Sequence, residues 1–462
     1  MIRRRLFKSA VVWSWLFNCL RLGSGVIVLP IVLARFSDDD FGMYGVLLSL
    51  SAFVPIIDFG FGPTIGRFVS YAFGGAETLQ AQGVQKPVGT ETPQPNYALL
   101  WQLLTATRVL YRYLALAILV FLGAWGTYYV ESTMHQTSSV LITRLAWVTT
   151  LIAAVLDIYW SWWCTYLNGL NQVVAAARLG VLAMGLKLVL TVALLLSGAG
   201  LLSLPVAGLV SSFVERQLTR RLCLKLLGEK PAGTNDSQAV RKVLVLLWPN
   251  AWRLGVQLLS SYLTVDANTQ IGGRVFGLAA TGKYVLATRL LGIAGTMAAV
   301  WTFTKWPLIA QYQTRHEFGP LRKVLWPRVW LQSLTFLLLA AAIIFLGPPL
   351  LTRFGHGKEM LPRGWMETLA LGNFLTLQFS LWTTLIATQN RVPSLWPTVI
   401  TNVLSLLLTL SLVSVCRNSL GLGALVLGPL ISGLLFNYWY WPFAAARSID
   451  TSLFRFLFRR PQ

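Results

Sequence analysis

Four basic residues carry most of the chemistry open to this sequence. Arg21, Lys187, Arg253 and Arg289 each fall near the centre of a long apolar run. An Arg or Lys at the centre of a membrane helix costs ~2.5–3.5 kcal/mol, so the four would cost roughly 10–14 kcal/mol if they faced lipid. They are therefore expected to face an aqueous cavity, a counter-ion or a ligand. Arg21 and Arg253 lie about 15 Å in from the start of their runs, near the midplane of a bilayer. Each guanidinium donates two parallel hydrogen bonds, so such a pair across a cavity suits a diphosphate. The alternative is that each Arg is buried by helix contacts and donates to backbone carbonyls. Lys283 and Lys305 stand nearer their helix ends and are expected to snorkel.

The acids are fewer. Asp157 and Lys187 fall on consecutive antiparallel helices at depths differing by about 3 Å, which predicts an ion pair. A coupling role is the alternative, with Asp157 or Asp58 exchanging a proton or a sodium ion. Asp58 precedes a Gly-x-Gly stretch, which predicts that it shapes or caps a helix break. Asp266 and Glu367 are expected near the external surface. Asp38-Asp39-Asp40 reads as a solvated acidic turn; its rival reading is a metal-holding acidic pair of a membrane glycosyltransferase. His135, His316 and His356 are far apart, the four cysteines stand singly, and no GxxxxGK[ST] loop occurs. No catalytic residue, metal or cofactor is expected, and the protein is read as a non-enzyme.

The elements that must position these residues are membrane helices. Of 462 residues 55% are hydrophobic and only 12% charged, about half the charged share of a soluble domain. A ~20-residue apolar window predicts twelve spans: 10–34, 42–66, 113–131, 144–167, 179–197, 201–215, 243–266, 277–304, 329–351, 364–387, 395–416 and 422–446. With the N-terminus inside, 25 of the 38 Lys and Arg fall in cytoplasmic segments, seven in external ones and six within spans. That bias predicts cytoplasmic termini. It also explains the net charge of +22 without nucleic acid, for which no motif is present. The expected organisation is a six-helix bundle over 1–227, a linker over 228–242, a second six-helix bundle over 243–446 and a basic tail over 447–462. The tail mixes Phe454, Phe456 and Phe458 with Arg455 and is expected to lie on the inner membrane surface. Two aromatic clusters, Tyr159–Trp163 and Tyr438–Trp441, are expected in the interfacial belt.

The halves resemble each other. Arg21-Leu22-Gly23 recurs as Arg253-Leu254-Gly255. Gly200, Leu201, Leu204, Leu209 and Ser211 match Gly421, Leu422, Leu425, Leu430 and Ser432 at a constant offset of 221. Two six-helix halves both start inside, so the repeats are parallel, an arrangement that places a transport site between them.

Phe41-Gly42-x-Tyr44-Gly45, then Asp58-Phe59-Gly60-Phe61-Gly62 with Arg67, resemble the polysaccharide-transporter branch of the MOP exporter superfamily. Phe276-Gly277, Gly282-Lys283-Tyr284 with Arg289-Leu290, and Trp306-Pro307 are similar to the matching pieces of the second half. The resemblance implies a MATE-like, all-α fold of about twelve transmembrane helices in two bundles. It further implies a flippase that carries polyprenyl-diphosphate-linked oligosaccharide repeat units across the bacterial cytoplasmic membrane for surface polysaccharide synthesis. The partners it offers are the lipid-linked oligosaccharide, the membrane, and a polysaccharide polymerase with its export machinery. Arg21, Lys187, Arg253 and Arg289 would then line a cationic cavity. The alternatives are a drug or cation antiporter of the same fold, and a glycosyltransferase or polymerase acting on the same lipid.

Overall fold

The computed structural model describes residues 10–76, 78, 94–231, 237–303, 305–314, 317–354, 358–387 and 393–458. These residues are almost wholly helical. In chain order the helices are α1 (Ala10–Arg35), α2 (Asp38–Ser51), α3 (Phe53–Ile57), α4 (Phe61–Phe73), α5 (Tyr97–Phe121), α6 (Thr127–Thr133), α7 (Val140–Gly169), α8 (Val173–Leu196) and α9 (Ser203–Leu227). They continue as α10 (Ser237–Val275), α11 (Leu278–Phe303), α12 (Trp306–Thr314), α13 (Phe318–Phe354), α14 (Arg363–Ala387) and α15 (Leu395–Val415). The chain ends with α16 (Arg417–Leu420), α17 (Gly423–Leu435), α18 (Asn437–Ser448) and α19 (Leu453–Phe458). Among the described residues, nine helical stretches are long and apolar enough to cross a membrane. With α1, α9 and α10 they make up the expected twelve.

The chain divides into two compact units: Met1–Asp40 with Leu47–Leu259, and Phe41–Val46 with Ser260–Gln462. The division falls inside α10, between Leu259 and Ser260, rather than in the 228–242 segment. Residues 243–259 thus group with the first unit.

Several helix ends have local causes. Asn96 accepts from the Leu99 amide at 3.0 Å and starts α5 sixteen residues before the predicted span. A π-turn at Leu122–Gly126 joins α5 to α6. Ser139 caps α7 by accepting from the Ile142 amide.

The predicted second span is broken. Phe59 (φ 52) and Gly60 (φ 74) take left-handed conformations between α3 and α4, and the chain restarts as a fresh helix at Phe61. The predicted twelfth span is broken at Phe436, between α17 and α18. The sixth is longer than expected, because α9 runs on from Ser203 through Arg216 to Leu227.

The Phe41-Gly42-x-Tyr44-Gly45 motif is a packing device of the second unit. The backbone of Gly42 lies against the Leu278 carbonyl and that of Gly45 against the Val285 side chain, so a Cβ at either would overlap its neighbour. Two small residues three apart let α2 and α11 approach closely.

The aromatic clusters are not belts throughout. Trp162 and Trp163 are each 2% exposed and stack at 4.0 Å, and Tyr166 beside them donates to the Leu100 carbonyl at 2.6 Å. They form the core of the first unit. In the later cluster Trp441 is buried, whereas Trp439 and Tyr440 are exposed.

Candidate functional site

The polar groups of the first unit meet at the middle of three long helices. Asp157 lies about 18 Å from the C-terminal end of the 45 Å helix α7, Lys187 about 21 Å into α8, and Arg216 about 20 Å into α9. The expected Asp157–Lys187 pair is not the direct contact. The Arg216 guanidinium donates to Asp157 at 3.0 Å and approaches Glu215 at 3.9 Å. Lys187 stands within electrostatic reach of Asp157, and its side chain is exposed. Two acids and two bases thus sit together at mid-span, which reconciles them with an apolar surround.

Arg216 corrects the sequence reading, which ended the sixth span at 215 and counted Arg216 with the cytoplasmic charges. The adjacent opposite charges of Glu215-Arg216 resemble a loop to a hydropathy window. Matched against Asp157 at equal depth, they are instead the interior of a helix.

Asp58 has the capping position predicted for it. Its carboxylate accepts from the Gly62 amide at 3.2 Å, one of the free N–H groups at the start of α4. Its other oxygen accepts from the buried Tyr111 hydroxyl of α5. The neighbouring Phe59 ring stacks on Trp248 at 6.1 Å and lies flat over the backbone of Gly255, where a Cβ would overlap it. The glycine of the repeated Arg-Leu-Gly triplet therefore has a packing reason in the second copy. Gly23, its counterpart, has open space at the same point.

In the second unit Arg289 lies about 16 Å into α11, with an exposed side chain. Asp266 of α10 and Tyr44 of α2 stand within its electrostatic reach. Asp266 lies nine residues before the end of α10, about 14 Å in. Asp266 is half-buried, and the Arg289 guanidinium supplies a counter-charge nearby. Glu367, in the first turns of α14, is exposed and bonded to Arg363 at 2.9 Å. Arg21 and Arg253 stand at mid-helix in α1 and α10, but their side chains lie outside the described residues.

The acidic turn is partly structural. Asp40 accepts from the Ser138 hydroxyl at 2.6 Å and the Ser138 amide at 3.1 Å. It ties the start of α2 to the loop before α7. In the second unit Lys283 and Glu359 make the equivalent clasp at 2.6 Å, between the first turns of α11 and the loop before α14. Among the described residues no group of three or more His, Cys, Asp and Glu could hold a metal ion.

No known family model matches the sequence, and no curated protein matches it. Solved structures do. An inward-facing multidrug resistance MATE family transporter of the MOP superfamily is 15% identical, with 96% of this chain and 100% of that one covered at a TM-score of 0.67. The fold is MATE-like. The same likeness extends to a MATE transporter from Vibrio cholerae, 16% identical over 97% of each chain with a TM-score of 0.58. It also extends to a MOP superfamily transporter from Pyrococcus furiosus, 11% identical over 97% of this chain and 98% of that one at 0.51. The last is described by a reverse polarity of its binding pocket that suggests a different function.

Proposed function

We propose that this protein is a flippase for polyprenyl-diphosphate-linked oligosaccharides, moving them across a bacterial cytoplasmic membrane. The observation that carries the reading is basic charge at mid-span. Lys187 and Arg289 are exposed near the centres of α8 and α11, and Arg21 and Arg253 hold corresponding sequence positions in α1 and α10. Cations at these depths are favourable only beside water, a counter-ion or an anionic ligand. A diphosphate offers enough acceptor oxygens to engage several of them at once. The head group would occupy a cationic cavity while the prenyl tail stays in lipid. A MATE-like fold supports transport by alternating exposure of that cavity. The Pyrococcus furiosus neighbour, with its pocket of reverse polarity, supports the idea that this fold serves cargoes of more than one charge. Lys187 has two roles to divide, since Asp157 stands near enough to be its counter-ion.

A second reading rests on a specific observation, the acids Asp58, Asp157 and Glu215 at mid-span in the first unit. They suit a cation antiporter. One experiment separates the two. The purified chain is titrated with undecaprenyl diphosphate and, separately, with a cationic rhodamine dye. The flippase reading predicts saturable binding of the diphosphate and none of the dye. Dye binding that is lost in Asp157→Asn, with no diphosphate binding, would move the protein to the antiporter class.

A further inference from the structure

Among the described residues, helix α19 is held by the protein on one side only. Phe456 is 2% exposed and is buried among Leu321, Leu325, Trp382, Leu385 and Trp441, from α13, α14 and α18. The Trp382 ring meets it edge-on at 5.8 Å. The indoles of Trp326 and Trp330, one helical turn apart on α13, both donate to the Leu457 carbonyl, at 3.1 and 3.2 Å. Arg322 donates to the Asp450 carbonyl at 3.0 Å and fixes the turn that precedes α19. A six-residue helix does not persist in water unaided, so this docking determines where its other face points.

That other face is apolar and bare. Phe454 and Phe458 are 64% and 76% exposed, and Arg455 between them is exposed too. Trp330 opens an exposed apolar stripe that runs up α13 through Leu334, Leu338 and Phe345. Phe454 lies 5.9 Å from Phe443 of α18, which is exposed in turn beside Trp439. The bare face of α19 therefore continues two membrane-facing stripes at the point where the spans end. Lys323 and Arg447 are exposed at the same end of the unit.

We infer that α19 is an interfacial clamp whose partner is an acidic phospholipid surface. Phe454 and Phe458 enter the acyl boundary, Arg455 meets the headgroups, and Phe456 transmits the anchorage to α13, α14 and α18. Aromatic rings flanked by cations partition to this zone of a bilayer, and each nearby cation is drawn to anionic lipid. The continuity of the two stripes favours lipid over a second copy of the chain or a soluble partner. The inference is independent of the cargo.

The test uses the full chain in lipid nanodiscs. Phe458→Cys is labelled with bimane, and the unsubstituted chain is treated in parallel to subtract labelling of native cysteines. Lipids brominated on the acyl chain should quench the probe strongly, and aqueous iodide weakly. Strong iodide quenching would place the position in water. Quenching by neither would place it against protein. Either result overturns the inference. If Phe458→Cys does not fold, Phe454→Cys gives the same pair of readings. In a second arm, the gain in Tm from neutral discs to discs containing phosphatidylglycerol should fall by about half in Arg455→Gln. An unchanged gain would overturn the role of acidic lipid.

Discussion

Glu215 and Arg216 in α9 correspond to Phe436 and Asn437 through the offset of 221 that aligns the sixth helices of the two halves. In the first unit that position is a charge pair inside a continuous helix, with Arg216 bonded to Asp157 at 3.0 Å. In the second it is a helix break. Phe436 leaves helical geometry (φ −147, ψ −57) and stacks on Tyr440 at 4.5 Å, while Asn437 accepts from the Trp441 indole at 3.0 Å. One register thus has two physical solutions. A charge at mid-span requires a counter-charge on a neighbouring helix, and the ion pair keeps α9 in place against α7. Without the charge, the chain bends, and an Asn side chain with a stack of rings fills the corner. The charged and the aromatic versions of the repeat should therefore fail in different ways.

The largest effect is expected at the charge pair. Arg216→Leu strands Asp157 at mid-span, and breaking a buried pair costs about 3–5 kcal/mol. The partial exposure of Asp157, 32%, lowers the expectation to about 2–3 kcal/mol. Asp157→Leu with Arg216→Leu should recover part of the lost Tm, since the paired loss removes one charge of each sign and leaves Lys187 and Glu215 to balance the cluster. A double variant no more stable than Arg216→Leu would show that the pair is not the unit that matters.

Next in size is the Phe59–Gly255 contact. Gly255→Val drives a branched side chain into the Phe59 ring and is expected to cost about 1–3 kcal/mol. Phe59→Ala in the same chain should relieve part of it. Gly23→Val, its repeat counterpart with open space, should be close to neutral in the same thermal-melt assay. Equal losses at the two glycines would refute the asymmetry between the halves.

The break at Asp58 should be milder. Asp58→Ala removes the cap of α4, worth about 1 kcal/mol, and leaves the Tyr111 hydroxyl without its acceptor. Asp58→Asn keeps an acceptor oxygen and should retain most of the stability. Full loss of folding in the Asn variant would indicate a role for the charge beyond capping.

The smallest effects belong to the two clasps between helix starts and loops. Glu359→Gln removes an exposed ion pair with Lys283, worth about 0.2–1 kcal/mol and less at high salt. Asp38→Asn with Asp39→Asn should leave surface polysaccharide intact. Its loss in a stable double variant would favour the glycosyltransferase reading. Asp40 is excluded from that test because it holds Ser138.

Much of the fold was legible because most spans are uninterrupted apolar runs. Predicted 277–304, 364–387 and 395–416 meet α11, α14 and α15 within one residue at each end. The failures share a cause. A one-dimensional window has no knowledge of partners, so Glu215-Arg216 resembled a helix end until Asp157 supplied its counter-charge. For the same reason depth alone pairs Asp157 with Lys187, the nearest base, and not with Arg216. The helix break at Phe59 was signalled by Asp58 and the Gly-x-Gly stretch. That at Phe436 had no glycine at the break and followed from packing. Trp162 and Trp163 were misplaced because indole composition cannot distinguish a belt from a core. The candidate site is legible in the sequence only as a set of costly charges, because their partners come from other helices.

The flippase proposal rests on a grip of mid-span guanidiniums on a diphosphate. Its most direct test is equilibrium binding of undecaprenyl diphosphate to Arg21→Gln and Arg253→Gln, with Tm measured on the same purified samples. Losing a charge-assisted bond to phosphate costs about 1.5–3 kcal/mol, roughly ten- to hundredfold in affinity. The account predicts that loss with Tm near that of the parent, and partial recovery in Arg→Lys, which keeps the charge but not the planar fork. Unchanged affinity in both Gln variants would contradict it.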